Sequence, residues 1–179
     1  MRFPLPLALA LTAFAAVPAA SQSSLQGLNT RGPVNVEADR IEVQDRADRA
    51  IFAGNVIATQ GSMTLTAARI TVAYSGGVGE GIAVQRLDAS GGVTVRGPGE
   101  SARGAFGVYD LNRRIITLLG GVELNRGGNT VRGGRLIIDL NSGRAVVDGR
   151  AQGGTGLTTS GAPGGRVSGT FTVPQGDGN

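Results

Sequence analysis

Apolar and polar residues alternate along the chain in short runs. Val34-Asn35-Val36-Glu37 and Ile41-Glu42-Val43 place an apolar side chain at every second position. This period of two is that of a β-strand with one face towards a core and the other towards solvent. Glycines separate the runs, and few segments hold two helical turns free of Gly or β-branched residues. The pattern predicts an all-β fold of short strands joined by turns.

The strand pattern is repeated along the chain, which indicates a stack of similar units. In one half of the unit the alternation follows a small residue or an arginine, and its copies lie 29, 36 and 30 residues apart, at Ile41, Ile70, Phe106 and Leu136. In the other half a Gly-Asn or Gly-Gly pair precedes a valine, at Val56, Val93 and Val122. The longer middle interval contains an insertion, residues 75–81.

The glycine pairs predict a sharp bend within each unit, because glycine readily adopts the positive φ that a corner or bulge requires. Stacked bent strands would form two facing sheets with an apolar interior, each layer adding about 4.8 Å. We therefore predict stacked, bent antiparallel strands over residues 34–149.

The two ends of the chain differ from this body in composition. Residues 1–20 have one charge, Arg2, then an apolar run and the small residues Ala19 and Ala20, which is typical of a secretory signal peptide. The run is too short for a membrane-spanning helix. We predict cleavage after Ala19 or Ala20, export from the cytoplasm, and a lead-in over residues 21–33. Residues 150–179 are rich in Gly, Ser, Thr and Pro and predict a flexible tail, with residues 170–173 as one further candidate strand.

The composition offers little for catalysis or metal binding. The chain has no His and no Cys, which removes the commonest general base, the thiol nucleophiles and the usual zinc ligands. Most carboxylates occupy outward positions beside an arginine and predict surface ion pairs. The net charge of +4 is weak evidence for nucleic-acid binding, and all the basic residues are arginines. We predict no catalytic residues, no metal, no cofactor and no nucleic-acid partner.

The interior remains as the candidate functional site. The alternation predicts these inward residues: Val34, Val36, Ile41, Val43, Phe52, Val56, Ile70, Val72, Val93, Val95, Phe106, Val108, Leu118, Leu124, Leu136 and Ile138. The aromatic residues of the body and tail occur singly and are predicted to fill the core: Phe52, Tyr74, Phe106, Tyr109 and Phe171. An interior lined in this way either closes tightly or leaves a slot as wide as an acyl chain, and composition does not decide between them.

Three segments resemble a known family. Val34-Asn35-Val36-Glu37-Ala38-Asp39, Ala53-Gly54-Asn55-Val56-Ile57-Ala58-Thr59-Gln60-Gly61 and Ala67-Ala68-Arg69-Ile70-Thr71-Val72 resemble the OstA-like repeat of the LptA family of periplasmic lipopolysaccharide transport proteins. The resemblance covers residues 34–149. Where the family pattern has further Gly-Asn-Val corners, this chain has Gly91-Gly92-Val93 and Gly120-Gly121-Val122, and glycine tolerates the same corner.

The resemblance implies that the exported chain is located in the periplasm and forms a β-jellyroll with an apolar groove that shelters the acyl chains of lipid A. It also implies head-to-tail homo-oligomers that bridge an inner-membrane anchored, LptC-type relative and the N-terminal domain of an outer-membrane LptD-type barrel. Arg40, Arg69 and Arg135 are candidate contacts for phosphate, although pairing with neighbouring carboxylates is the simpler interpretation.

Other interpretations remain at this point. In the first, the chain is a different OstA-like component of the same system. In the second, it is a structural β-stack with a closed core that assembles without lipid. An enzyme is the third alternative, and no acid–base pair in the sequence favours it.

Overall fold

The computed structural model describes residues 30–76, 81–149 and 166–171. The predicted signal peptide, residues 21–29 of the lead-in, and residues 150–165 and 172–179 of the tail lie outside the described residues. Within the described ranges the chain forms ten strands and one short 3-10 helix, Asp45–Ala47. The strands are β1 Asn35–Glu37, β2 Arg40–Gln44, β3 Arg49–Gln60, β4 Met63–Ser75, β5 Ala83–Gly97, β6 Glu100–Asp110, β7 Ile115–Arg126, β8 Asn129–Asp139, β9 Arg144–Asp148 and β10 Ser168–Thr170.

The strands form one antiparallel sheet in which chain neighbours pair in turn from β2 to β9, while β1 pairs with β3 and β10 with β8. The order is β1-β3-β4-β5-β6-β7-β8-β10, with β2 also on β3 and β9 also on β8. The all-β prediction of stacked antiparallel strands is confirmed. No helix in the described part of the chain is long and apolar enough to cross a membrane.

A line of register shifts crosses the sheet where the sequence predicted bends. The shift falls between Ala53 and Val56 on β3, and it recurs in each of the four following strand pairs. The glycine pairs of β3, β5 and β7 lie on this line, and both residues of each pair have positive φ: Gly54 and Asn55, Gly91 and Gly92, Gly120 and Gly121. The backbone of a residue other than Gly or Asn is strained at such angles. We call this line the corner.

The corner divides the sheet into two wings. Wing A contains β2, β9 and residues 49–53, 69–75, 83–90, 106–110, 115–119 and 135–139. Wing B contains β1, β10 and residues 56–60, 63–67, 93–97, 100–104, 122–126 and 129–133. The wings face each other, since the Tyr109 hydroxyl of wing A lies 2.8 Å from Gln60 Oε1 of wing B. The edge opposite the corner, where the turns of both wings lie, we call the mouth.

The core lies between the wings. Its fully buried side chains come from both, including Ile70, Leu87 and Leu136 of wing A and Leu65 and Val95 of wing B. Glycine leaves room for a side chain of the facing wing. A Cβ atom at Gly107 would lie 2.9 Å from Val93 Cγ1 and 3.0 Å from Leu118 Cδ2.

The tail contributes one strand, which overlaps the first residue of the strand predicted at residues 170–173, of which residues 172–173 lie outside the described residues. β10 covers Ser168–Thr170 and pairs with residues 130–132 of β8, whereas the alternation indicated residues 170–173. Thr170 alone is shared by both ranges. All three β10 residues are exposed, so this strand rests on backbone pairing and not on burial.

Candidate functional site

The strand register arranges the inward side chains in rows that run along the stack. On wing A one row follows the pairing Ile41, Phe52, Ile70, Ala89, Gly107, Leu118, Leu136, Val147. On wing B a second row follows Val36, Ala58, Leu65, Val95, Ala102, Leu124, Val131. Directly opposed residues point to the same face, so each row is a continuous apolar strip from one end of the stack to the other.

Most of the predicted inward residues occupy this interior. Nine are buried core residues: Val56, Ile70, Val72, Val93, Val95, Leu118, Leu124, Leu136 and Ile138. Val34, Val36 and Phe52 are partly buried and pack against the core. The period of two therefore identified the interior correctly on five of the long strands.

Two members of the terminal strand β2 are inward by register but exposed. Ile41 lies opposite Phe52 and Val43 opposite Ala50, yet their exposed fractions are 54% and 60%. β2 is an end strand of wing A, with β3 on one side and no strand on the other among the described residues. The apolar strip of wing A therefore reaches the surface at the N-terminal end of the stack.

The prediction was wrong for Phe106 and Val108 on β6. Phe106 lies opposite Ser90 and Leu119 and is 56% exposed, and Val108 lies opposite Asp88 and Thr117. The inward residues of this segment are Gly107 and Tyr109. A register error of one residue turns every side chain of a strand to the other face, and the apolar alternation of Phe106 and Val108 favoured the wrong face.

The three candidate phosphate contacts do not line the interior. Arg40, Ala53 and Arg69 are directly opposed on adjacent strands and lie on the outer face of wing A, next to the corner and away from the mouth. Arg135 lies on the same face and donates to Asp148 Oδ2 through Nε at 2.9 Å. The simpler interpretation, a surface ion pair, holds for Arg135, and Arg40 lies 4.0 Å from Glu42.

The sequence analysis missed several interior residues. Met63, Leu65 and Ala67 alternate on β4 and Leu87 and Ala89 on β5, so the period of two was available to find them. Tyr109 was predicted only as a general core residue, and it is fully buried. The same prediction was wrong for Phe106 and Phe171, whose exposed fractions are 56% and 68%.

The interior is closely packed in this structure. Within the described residues the void enclosed by Ala58, Met63, Leu65, Leu87 and Tyr109 and their neighbours holds only about 10 Å³. That is close to the minimum that a single water molecule needs. An acyl chain therefore enters only if the wings or the groups at the mouth move.

Polar side chains form the layer of the interior at the mouth. Gln60 is 3% exposed, accepts from the Tyr109 hydroxyl and donates through Nε2 to the backbone oxygens of Thr30 and Gly32, each at 3.0 Å. Burial raises the pKa of Tyr109 to about 12, against a smaller lowering by Arg114, so its hydroxyl stays a donor at physiological pH.

A second polar contact lies at the same layer of wing B. Arg126 donates through Nε to Glu100 Oε2 at 2.9 Å, and the Glu100 side chain is fully buried. Burying a carboxylate is costly unless a charged partner accompanies it, and Arg126 meets that requirement. Together, the side chains of Gln60, Tyr109, Glu100 and Arg126 form a polar layer between the apolar rows and the solvent at the mouth.

The outer face of wing B contains a compact ionic cluster. Glu123 accepts from Asn125 Nδ2 at 3.0 Å, from Arg132 Nε at 2.6 Å and from Arg103 Nη2 at 2.9 Å. These hydrogen bonds, with Asn125 first and the two arginines after it, lower the pKa of Glu123 to about 2, although burial opposes them. The cluster links β6, β7 and β8 and stabilises the sheet.

The described residues contain no group of three His, Cys, Asp or Glu side chains able to hold a metal ion. What the interior offers chemically is apolar surface. Such surface binds a hydrocarbon chain through burial alone, at about 0.8 kcal/mol per CH₂ group.

The arrangement has counterparts among known proteins. Residues 35–144 match the family model described as LptA/(LptD N-terminal domain) LPS transport protein. An uncharacterized protein of Rhizobium meliloti is 34% identical over 149 residues, covering 79% of this chain and 80% of that protein. The LPS-assembly protein LptD of Yersinia enterocolitica is 35% identical over 98 residues, which are 55% of this chain but 12% of that protein.

Similarity also extends to a Pseudomonas aeruginosa protein of known structure. The lipopolysaccharide export system protein LptH is 26% identical to this chain over 135 residues, covering 64% of this chain and 70% of that protein. The crystal structure of LptH, described as the LptA homologous periplasmic component of a lipopolysaccharide transport device, superposes with a TM-score of 0.69 and 20% identity. The superposition covers 81% of this chain and 99% of that one and shows that the fold is shared.

These observations define the class of the protein: a bent, stacked β-sheet with an apolar interior between two wings. The chain belongs to the LptA/LptD N-terminal domain family of LPS transport proteins, since the matched segment is more than half of its length.

Proposed function

We propose that this protein binds the acyl chains of lipopolysaccharide between its two wings and conducts the lipid through the periplasm as part of a bridge between the membranes. The observation that carries the proposal is the pair of uninterrupted apolar strips that run the length of the stack in a member of this family. A chain of a dozen methylene groups, at about 0.8 kcal/mol each, would bind without polar recognition of its head group.

The predicted location supports this function. Residues 1–20 have the features of a secretory signal peptide, with cleavage after Ala19 or Ala20 releasing the mature chain into the periplasm. The residues proposed to contact acyl chains are the inward members of the two strips, among them Phe52, Ile70, Val95, Leu118 and Leu136.

The ends of the stack support end-to-end assembly. At one end β2 exposes Ile41 and Val43, and at the other β9 and β10 lie at the edge of the sheet. Unpaired strand edges accept strands of another chain, and a head-to-tail contact can extend into a filament. We propose a second copy of this chain as one partner, and an LptC-type anchored protein and an LptD-type N-terminal domain as the terminal partners.

Photo-crosslinking tests the binding of lipid. Benzoylphenylalanine replaces Phe52, which faces the interior, or Phe106, which faces outward and is matched to it in chemistry. After irradiation of cells, the proposal expects a lipopolysaccharide adduct at position 52 and none at position 106. If a protein that still folds gives no adduct at either position, the interior does not bind the lipid and the proposal is contradicted.

One observation favours a second candidate, a structural β-stack that assembles without lipid. The void next to Leu65, Leu87 and Tyr109 is only about 10 Å³, and protein side chains fill the space around it. This candidate predicts filaments from lipid-free protein and no adduct at position 52, and the same crosslinking experiment therefore separates the two functions.

A further inference from the structure

The mouth of the interior is crossed by the segment that precedes β1. This N-terminal strap, residues 30–34, lies over the Gln60 end of wing B, because Gln60 Nε2 donates to Thr30 O and to Gly32 O. Both amide hydrogens of Gln60 are thus used on the strap. Its amide oxygen accepts from Tyr109, which belongs to the facing wing.

Gln60 therefore joins three parts of the molecule at one point. The strap, wing B and wing A meet in a chain of three hydrogen bonds of 2.8–3.0 Å, and both side chains of that chain are nearly inaccessible to solvent. A buried amide that lost these partners would incur the full cost of its desolvation, so the contacts hold together or break together.

This contact separates two cavities. On the outside, a depression of about 440 Å³ is lined by the strap, by Val84 of wing A, and by Ile82 and Leu111 next to that wing. On the inside lies the small apolar void next to Leu65 and Leu87. Val34 and Gln60 line both cavities, and they form the wall between them.

We propose that Gln60 and Tyr109 form a polar latch that holds the N-terminal strap across the mouth, and that an acyl chain reaches the apolar interior from the outer depression when this latch opens. The proposal rests on the carrier function proposed above and names its entrance. It also gives a role to Gln60, the glutamine of the Gly-Asn-Val-x-x-x-Gln-Gly segment, which the binding of acyl chains by itself leaves unexplained.

The first test removes one hydroxyl group from the latch. Tyr109→Phe keeps the buried ring and loses the hydrogen bond to Gln60, and Tyr74→Phe makes the same change at the other tyrosine of the chain, outside the latch. Two rates are measured on the mature protein: association of cis-parinaric acid, a fluorescent fatty acid, and tryptic cleavage after Arg31 within the strap.

The latch predicts that both rates rise in Tyr109→Phe by roughly fivefold, the change expected for one net hydrogen bond, and that Tyr74→Phe leaves both unchanged. Unchanged cleavage after Arg31 would show that the latch does not hold the strap. Faster cleavage after Arg31 with unchanged or slower association of cis-parinaric acid would show that the fatty acid does not enter where the strap crosses the mouth. Either result overturns the proposal.

The second test locks the strap. Asn35 and Thr59 are directly opposed on β1 and β3, a separation that a disulfide spans, and the natural chain has no cysteine to interfere. In the variant Asn35→Cys/Thr59→Cys, the bond ties Val34 against Gln60. We expect the oxidised protein to bind cis-parinaric acid several-fold more slowly than the same protein after reduction.

Equal rates in the two redox forms would place the entrance elsewhere and overturn the proposal while leaving the carrier function intact. Absence of fatty-acid binding in the wild-type protein would instead contradict the carrier function itself, and the entrance would fall with it. The failure of the latch and the failure of the proposed function are therefore distinct outcomes.

Discussion

Single glycines set how closely the wings approach. Gly107 faces the interior in the row of Ile70 and Leu118, where every other strand provides a side chain or an alanine methyl. Val93 of the facing wing fills the space that a Cβ atom at Gly107 would occupy. The core is thus packed by alternation of large and small residues across the interface between the wings.

Substitution at this glycine tests the packing. Gly107→Ala is expected to destabilise the protein by about 1–3 kcal/mol, because the added methyl group forces Val93 and Leu118 to shift. In the background of Val93→Ala the same substitution should cost less, since the space is then free. Urea unfolding of the four proteins in this cycle measures the coupling, and additive costs would contradict the contact.

Glu123 links stability to pH on the outer face of wing B. Its pKa falls from 4.5 to about 2 in the folded protein, so its contribution is complete above pH 4.5 and is lost as the pH falls towards 2. We expect the free energy of unfolding of Glu123→Gln to lie below that of the wild type at neutral pH. The difference should shrink between pH 4.5 and 2, as followed by urea denaturation across that range. A difference independent of pH would mean that the carboxylate charge is not what stabilises the cluster.

At the scale of the strand, the corner decides the architecture. A strand without it would run straight, and the sheet would expose one apolar face along its whole length. The pairs Gly54-Asn55, Gly91-Gly92 and Gly120-Gly121 turn β3, β5 and β7 back through positive φ, so the two halves of each of these strands cover each other. At the N-terminal end of the corner Asn55 donates to Asp39 Oδ2 at 2.9 Å, which ties the start of β2 to the bend in β3.

The positive φ at the corner predicts which substitutions at Gly92 cost more stability. This residue has a φ of +80°, and nothing lies within 4 Å of a Cβ atom placed there, so only backbone strain opposes a side chain. Gly92→Ala should cost about 1 kcal/mol. Gly92→Asn should cost clearly less, because Asn55 already occupies the equivalent second position of the corner at a φ of +45°. Thermal and urea unfolding measure both variants, and equal costs for Ala and Asn would contradict the assignment of strain.

At the scale of the whole molecule, the stack leaves different surfaces at its sides and ends. The sides present ion pairs such as Arg86 with Asp88 and Arg103 with Glu123. The N-terminal end presents Ile41 and Val43, which belong by register to the interior of wing A. A second stack placed on this end would continue the apolar strip from one molecule to the next.

Self-association tests this view of the ends. Val43→Asp is expected to weaken it at least tenfold, because the charge would lie within the apolar strip at the contact between copies. Phe106→Asp is the matched control, since Phe106 is similarly exposed but lies on the outer face of wing A. Sedimentation equilibrium compares the two variants with the wild type. A loss of association in Phe106→Asp, with Val43→Asp unaffected, would place the contact on the side of the stack.

The sequence by itself determined the class of fold, the repeating unit and the position of the corner. Alternation with a period of two and glycine pairs at fixed offsets are local properties, because the backbone conformation that a short segment prefers depends on its own residues. The same pattern identified most of the interior, from Val56 to Ile138. The three segments that resemble the OstA-like repeat also indicated the family, because each of them is a contiguous stretch of the chain.

Only the tertiary structure decided the register of β6 and the closure of the mouth. The face that Phe106 or Gly107 presents depends on which residues of β5 and β7 lie opposite, and those partners are distant in sequence. Gln60 and Tyr109 are 49 residues apart, and no local pattern in either strand indicates that they meet. They meet because the corner folds wing A onto wing B, and a contact of that kind depends on the whole chain.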